Sequence, residues 1–139
     1  MAEYTLSTTL AMPYDAAVTE VREGLADQGF GVLTEIDLKA TLKAKLDVDV
    51  PAQVILGACR PPLAYEALQV DPSIATVLPC NVVVRSVDAD TTVVEAFDPH
   101  AMMGLSSSGG LDTVAADARQ RLNAMLAALS SQTTTPQEQ

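Results

Sequence analysis

Basic residues are scarce in this sequence. Eight lysines and arginines stand against eighteen acids, for a formal charge of −10 at pH 7. Binding to nucleic acid without sequence preference needs a basic face that displaces counterions from the phosphates. Docking on anionic lipid needs the same kind of surface. The charge balance therefore argues against both nucleic acid and membrane as partners.

Long apolar runs and export signals are also missing. No run approaches the roughly 18 to 20 apolar residues that a membrane-spanning helix needs. The first residues, Met1-Ala2-Glu3-Tyr4, contain no basic region followed by an apolar core, so no signal peptide is expected. Two cysteines in such a chain are expected to be reduced thiols. The sequence predicts a soluble cytoplasmic protein.

Tryptophan is absent, and only two phenylalanines and three tyrosines are present, so the core is expected to be aliphatic. At 139 residues and 48% hydrophobic content, one domain can bury a core that needs no disulfide or metal. We expect that domain to span residues 1–129. Residues 130–139 are polar and lack apolar periodicity, which predicts a disordered C-terminal tail.

The predicted elements follow the order strand, helix, several strands, helix. The predicted strands are residues 3–10, 30–36, 54–59, 78–84 and 91–97. The first predicted helix begins at Pro13 and ends before Gly29, and the other three cover residues 38–46, 62–68 and 111–129. Short connections among the later strands favour an α+β fold with an antiparallel sheet and helices on one face. Because the central strands are apolar on both sides, we expect a second subunit to cover the other face.

Two apolar runs bounded by proline dominate the middle of the chain. They are residues 54–59 (VILGAC) and 78–84 (LPCNVVV). In neighbouring antiparallel strands, the end of the first run lies at the same edge as the start of the second. We therefore expect Cys59 and Cys80 to lie close together, beside Arg60 and Asn81. The charge of Arg60 is expected to favour the thiolate forms.

Four stretches of the sequence resemble the signatures of the bacterial and archaeal domain-of-unknown-function family 302. They are residues 29–42 (GFGVLTEIDLKATL), 55–64 (ILGACRPPLA), 78–84 and the Asp98-Pro99 pair with Met102-Met103-Gly104. The resemblance extends from about Met12 to Leu129 and keeps the expected order. It departs at Arg60, where the family pattern often has asparagine. The resemblance implies a TATA-binding-protein-like α+β fold and a homodimer, and it implies no established activity.

Cys59 and Cys80 admit four interpretations. They can pack as small apolar side chains, since free cysteine is among the most buried residue types. They can form a reversible disulfide, which needs Cα atoms within about 7 Å. With His100, the sole histidine, they can bind a metal or haem. Finally, one thiol can act as a nucleophile with His100 as its base. Their spacing matches no known metal signature.

Two further features of the sequence suggest anion binding. All three lysines, at 39, 43 and 45, lie in one predicted helix, either as a solvated face or as an anion-attracting patch beside Arg60. Residues 106–110 (SSSGG) precede a helix whose amides can hold a phosphate. That stretch lacks the lysine and the spacing of a phosphate-binding loop, so a linker is the favoured interpretation.

Two classes of function remain. The first is a binding or sensing module whose pocket takes a small molecule or a metal; its candidate residues are Cys59, Arg60, Cys80, Asn81 and His100. The second is a thiol-dependent redox protein or enzyme that uses the same two cysteines. The sequence contains no paired acid and base and no cofactor motif, which favours the binding module. The sequence predicts no particular cofactor, and it leaves enzymatic activity open.

Overall fold

The computed structural model describes residues 3–103 and 109–134. The strands are β1 (Thr5–Leu10), β2 (Gly31–Asp37), β3 (Gln53–Cys59), β4 (Cys80–Asp88) and β5 (Thr91–Phe97). The helices are α1 (Tyr14–Asp27), α2 (Leu38–Leu46), α3 (Pro61–Val70), α4 (His100–Met103) and α5 (Asp112–Thr134), with a 3-10 helix at Pro72–Val77. The strands form one antiparallel sheet in the order β1-β5-β4-β3-β2. The α+β prediction is confirmed.

Helices α1 and α5 cover one face of this sheet and form the main core with it. In α1 the buried residues, Ala17, Val21 and Leu25, recur four positions apart, so they form one stripe along the helix. A Cβ atom on Gly24 would lie only 2.9 Å from Met125 Cγ of α5, so the missing side chain lets the two helices approach closely. Full burial of each large aliphatic side chain contributes about 1.5 to 3 kcal/mol.

Helix α5 continues to Thr134, past the predicted domain boundary at residue 129. Ser130 lies inside the helix, where its hydroxyl donates to Leu126 O at 3.2 Å. The same hydroxyl lies 2.6 Å from Thr8 Oγ1 of β1, so this turn of the helix contacts the sheet. The first part of the predicted tail is therefore helical, and residues 135–139 lie outside the described residues.

A second apolar cluster lies beside the main core. It joins α3, the 3-10 helix and the start of α5, through Leu63, Ala67, Ile74, Val114 and Ala118. Helix α3 begins directly after β3 because Pro61 occupies the first helical position, where its missing N–H costs nothing. Ala58, near the end of β3, belongs to the main core, and α3, which follows directly, belongs to the second cluster.

Strand β2 contains an irregularity that the sequence pattern did not predict. The alternation of residues in 30–36 predicts that Phe30, Val32, Thr34 and Ile36 share one face. In the structure, however, Val32 and Thr34 pair with the consecutive residues Ala58 and Gly57. The register shift leaves Leu33 between them as a β-bulge, with 65% of its surface exposed. A bulge of one residue reverses the alternation of side chains beyond it. The prediction of one continuous face was therefore wrong.

Helix α2 begins as predicted. The side chain of Asp37 accepts a hydrogen bond from Ala40 N at 2.9 Å and so caps the helix. Within the chain, however, α2 has no buried residue, and Leu46 is 65% exposed. Tertiary packing therefore contributes little to this helix, and the cap is its clearest stabilising contact.

Candidate functional site

A cavity of about 40 Å³, large enough to admit water-sized molecules, lies where the two apolar clusters meet. The end of β3, the start of β4, α3 and α5 line it, and Phe30, Leu78 and Pro99 complete the lining. One water molecule needs roughly 10 to 15 Å³ of such space. The cavity therefore has room for a few water molecules or for one ligand of a few heavy atoms.

The structure brings together three of the five residues predicted for the site. Cys59 is the last residue of β3, Arg60 precedes the first turn of α3, and Cys80 is the first residue of β4. All three border the cavity, and all three are half-buried. The antiparallel register pairs Ala58, and not Cys59, with Cys80, so the two cysteines lie at the same edge of the sheet. Because successive side chains of a strand point to opposite faces, Cys59 and Cys80 point to opposite faces of the sheet. A shared location for the two cysteines was expected from the order of the two apolar runs.

Burial disfavours the thiolate form of both cysteines. Burial raises the pKa of Cys80 to about 11, and the neighbouring Cys59 adds to the rise because two thiolates would repel each other. Burial also raises the pKa of Cys59. We expected the charge of Arg60 to favour the thiolates, and that prediction was wrong: desolvation dominates at both sulfurs. Neither thiol is activated as a nucleophile near neutral pH.

Arg60 contributes an unsatisfied hydrogen-bond donor to this region. Its Nε atom is buried and has no hydrogen-bond partner among the described residues. Gly29 makes the space for this side chain, because a Cβ atom there would lie 3.0 Å from Nε. The φ angle of Gly29, +83°, also favours glycine. A buried donor without a partner costs roughly 1 to 3 kcal/mol, so a ligand that accepts this hydrogen bond would be stabilised.

Asn81 is not part of the cavity. It pairs with Gly57 in the ladder between β3 and β4, one position beyond the pair of Ala58 and Cys80. Successive side chains of a strand point to opposite faces, so Asn81 and Cys80 diverge. Asn81 instead borders a broad groove of about 690 Å³, together with Val83 and Arg85 of the same strand.

His100 is not part of the cavity either. It begins α4 and is exposed, while its neighbour Pro99 lies in the cavity lining. The backbone N–H of His100 donates to Asp98 Oδ1 at 3.0 Å, which fixes the turn before the helix. Across residues 3–103 and 109–134, no group of three or more His, Cys, Asp or Glu side chains is arranged to hold a metal. His100 therefore does not join Cys59 and Cys80 at the cavity.

The apolar lining from α3 and α5 was not recognised in the sequence as part of a site. Leu63 and Ala67 of α3 line the cavity together with Val114 and Ala118 of α5, and the two residues from each helix are four positions apart. This spacing predicted buried helix faces. The available signal for a cavity was the small size of the alanines, which leave space between helices that larger side chains would fill.

The other two candidate features do not join this site. Lys43 pairs with Asp47 at 2.9 Å and with Asp49 at 3.5 Å, on an exposed surface. No lysine borders the cavity. Residues 106–108 of the serine-rich stretch lie outside the described residues. The anion-patch hypothesis therefore gains no support from the geometry of the cavity.

The chain is thus a small α+β domain with a small apolar cavity that Cys59, Arg60 and Cys80 border. A family model described as "Domain of unknown function DUF302" matches residues 6–129, and the chain belongs to this family. The chain is also similar to the crystal structure of an uncharacterized conserved protein DUF302 from Bacillus stearothermophilus. That similarity has a TM-score of 0.83 and 27% identity, and it covers 92% of this chain and 99% of the other.

No curated protein matches this chain. Among the helices of the described residues, none has the length and apolar character needed to cross a membrane.

Proposed function

We propose that the protein is a binding or sensing module that takes a small ligand in the cavity bordered by Cys59, Arg60 and Cys80. The observation that carries this proposal is the buried Nε of Arg60, which has no hydrogen-bond partner among the described residues. Arg60 borders the cavity together with Cys59 and Cys80. A site that served packing alone would gain from closing the space and satisfying the donor, because voids and unpaired polar groups both cost free energy. A bound ligand that accepts a hydrogen bond from Arg60 Nε would remove the cost of the unpaired donor.

The thiol-dependent redox protein or enzyme is the alternative function. The shared cavity of Cys59 and Cys80 favours it. Two observations count against it: burial raises the pKa of both thiols, and His100 does not border the cavity as a base. Since the thiolate is the reactive form, the binding module is the better supported function.

We also propose that the protein acts as a cytoplasmic homodimer whose subunits meet through the sheet face opposite α1 and α5. Ile55 and Val83 lie on that face, half-buried, and the groove beside them includes Phe97. Five strands about 4.8 Å apart and about 20 Å long offer roughly 500 Å² per subunit. The two subunits together would bury about 1,000 Å², near the lower limit for a specific interface.

Native mass spectrometry of protein purified without added ligand tests the binding proposal. We expect wild-type protein to retain a small non-covalent mass that Ala118→Leu loses, because Ala118 lines the cavity and leucine would fill it. Ala124→Leu is the matched control, since Ala124 is an exposed residue of the same helix and its substitution leaves the cavity unchanged. Equal retention by both variants, or no retained mass in any of them, would count against the proposal.

A further inference from the structure

We infer that the cavity ligand is the anion of a short-chain monocarboxylic acid, whose carboxylate pairs with the guanidinium of Arg60 and whose hydrocarbon chain occupies the cavity. This inference rests on the proposed binding function of the same cavity and names the chemical class of its ligand. It follows from three features: an arginine without an acidic partner, the apolar lining, and the shortage of other anion-binding groups.

Arg60 is the one arginine of the chain that has no acidic partner among the described residues. The other four arginines each form an ion pair with an aspartate or a glutamate; they are Arg22, Arg85, Arg119 and Arg121. The contrast stands out in a chain that has eighteen acids and a formal charge of −10. Arg60 is also half-buried, and its Nε has no hydrogen-bond partner. Such a cation favours an anionic ligand, because a charge-assisted hydrogen bond is stronger than a neutral one.

The lining of the cavity suits a hydrocarbon chain. Among the described residues that line it, Arg60 alone carries a charge, and the side chains from α3 and α5 are those of alanine, valine and leucine. About 40 Å³ has room for a chain of a few carbon atoms. Burial raises the pKa of Cys59 and of Cys80, so neither sulfur carries a negative charge near neutral pH that would repel a carboxylate. The cavity therefore fits the apolar part of an amphiphilic anion.

Backbone amides do not add a second anion-binding group at the start of α3. Pro61 and Pro62 occupy its first two positions and have no N–H. The next two amides, those of Leu63 and Ala64, both donate to Arg60 O at 3.0 Å. A single guanidinium matches a single carboxylate, which accepts two parallel hydrogen bonds from it. A phosphate group has more charge and more oxygen atoms than one arginine can satisfy, so a carboxylate is the better fit.

Titration of the full-length, reduced protein with sodium butyrate at constant ionic strength, followed through the NMR amide shifts of the protein, tests the inference. We expect saturable binding at one site per chain. Butyramide has the same size but no charge, and it should bind about 10-fold more weakly. Acetate keeps the charge but lacks two methylene groups, and it should bind about 15-fold more weakly. These comparisons need only the wild-type protein.

Two pairs of variants locate the binding site. Arg60→Met should weaken butyrate binding about 10- to 100-fold, because the charged donors are lost. Arg22→Met is its control, since Arg22 pairs with Glu35 at the surface and does not border the cavity. Ala118→Leu, which fills the cavity, should also weaken binding, whereas Ala124→Leu should not. If a cavity variant fails to fold, the three ligands compared on the wild type still decide.

The outcomes separate this inference from the broader function. Butyramide or acetate that binds as tightly as butyrate, or equal losses in the two arginine variants, would overturn the carboxylate inference. A retained mass that Ala118→Leu loses, together with no butyrate binding, would also overturn it and leave the binding module intact. No retained mass in any variant, together with no binding of the three ligands, would overturn both. Butyrate binding that requires its charge, its chain and Arg60 supports both.

Discussion

Cys80 pairs with Ala58, and not with Cys59, in the antiparallel ladder between β3 and β4. This register places Cys59 one position further, at the end of its strand, where the chain continues into α3. It also places Asn81 opposite Gly57, so that Asn81 borders the groove and not the cavity. The composition of the candidate site therefore depends on a single-residue offset.

The buried thiols predict a loss of stability at alkaline pH. In the folded protein the pKa of Cys80 is raised from 9.0 to about 11, so the folded state keeps its proton at a pH where the unfolded state releases it. Stability must then fall as the pH rises from about 9 to 11, by roughly 2 to 3 kcal/mol from this group. Urea unfolding measured across that range should show the decline.

Cys80→Ala is the control for this alkaline effect. It should flatten most of the decline, while burial of Cys59 and of Tyr14, whose pKa values are also raised, leaves a smaller slope. Equal slopes for the variant and the wild type would show that the Cys80 thiol is not desolvated in the folded state.

Close packing at Gly57 gives a second prediction. A Cβ atom there would lie 2.1 Å from Thr34 Oγ1 and 2.8 Å from Pro79 Cγ. Gly57→Ala should therefore destabilise the domain by about 1 to 3 kcal/mol through overpacking between β2, β3 and the start of β4. Chemical denaturation measures this loss, and Thr34→Ala in the same chain should recover part of it.

Gly109→Ala is the matched control for Gly57→Ala. No heavy atom lies within 4 Å of a Cβ atom built at Gly109, so that substitution should change stability by no more than about 0.5 kcal/mol. Similar effects at the two glycines would mean that steric contact at Gly57 does not explain the loss.

The proposed dimer face gives a third prediction. Light scattering at micromolar concentration should report a dimer mass for the wild type and a monomer mass for Val83→Arg, since a charge in the middle of that face would be buried without a partner. Ala124→Arg, on an exposed position of α5, should remain dimeric. A monomeric wild type, or a dimer that tolerates Val83→Arg, would remove this face as the interface.

Much of the fold follows from local sequence features. Pro61 and Gly29 mark helix ends, Asp37 caps α2, and the apolar stripe of α5 predicts its buried face. The bulge at Leu33 could not be predicted in this way, because residues 30–36 fit an unbroken alternation equally well. In the observed register Thr34 pairs with Gly57, where a Cβ atom would clash with Thr34 Oγ1, so the irregular pairing depends on a contact between strands.

The sequence predicts which strand ends form the candidate site. Strand order and direction bring Cys59 and Cys80 to one edge, since that inference needs only antiparallel neighbours. The face to which Asn81 points depends on the exact register, which a one-residue shift reverses. The position of His100 depends on a connection after β5 whose path no periodic pattern specifies. The pKa values of the thiols depend on burial by α3 and α5, which is a property of the tertiary structure.

The central claim is that Cys59 and Cys80 share one small cavity, and native-state thiol labelling with methyl methanethiosulfonate, counted by intact mass spectrometry, tests it most directly. Each modification adds a thiomethyl group, and the small apolar cavity that both residues border leaves little space for a second one. We predict that the folded chain takes one label, whereas the unfolded chain takes two. Two labels added to the folded chain at independent rates would contradict the shared cavity.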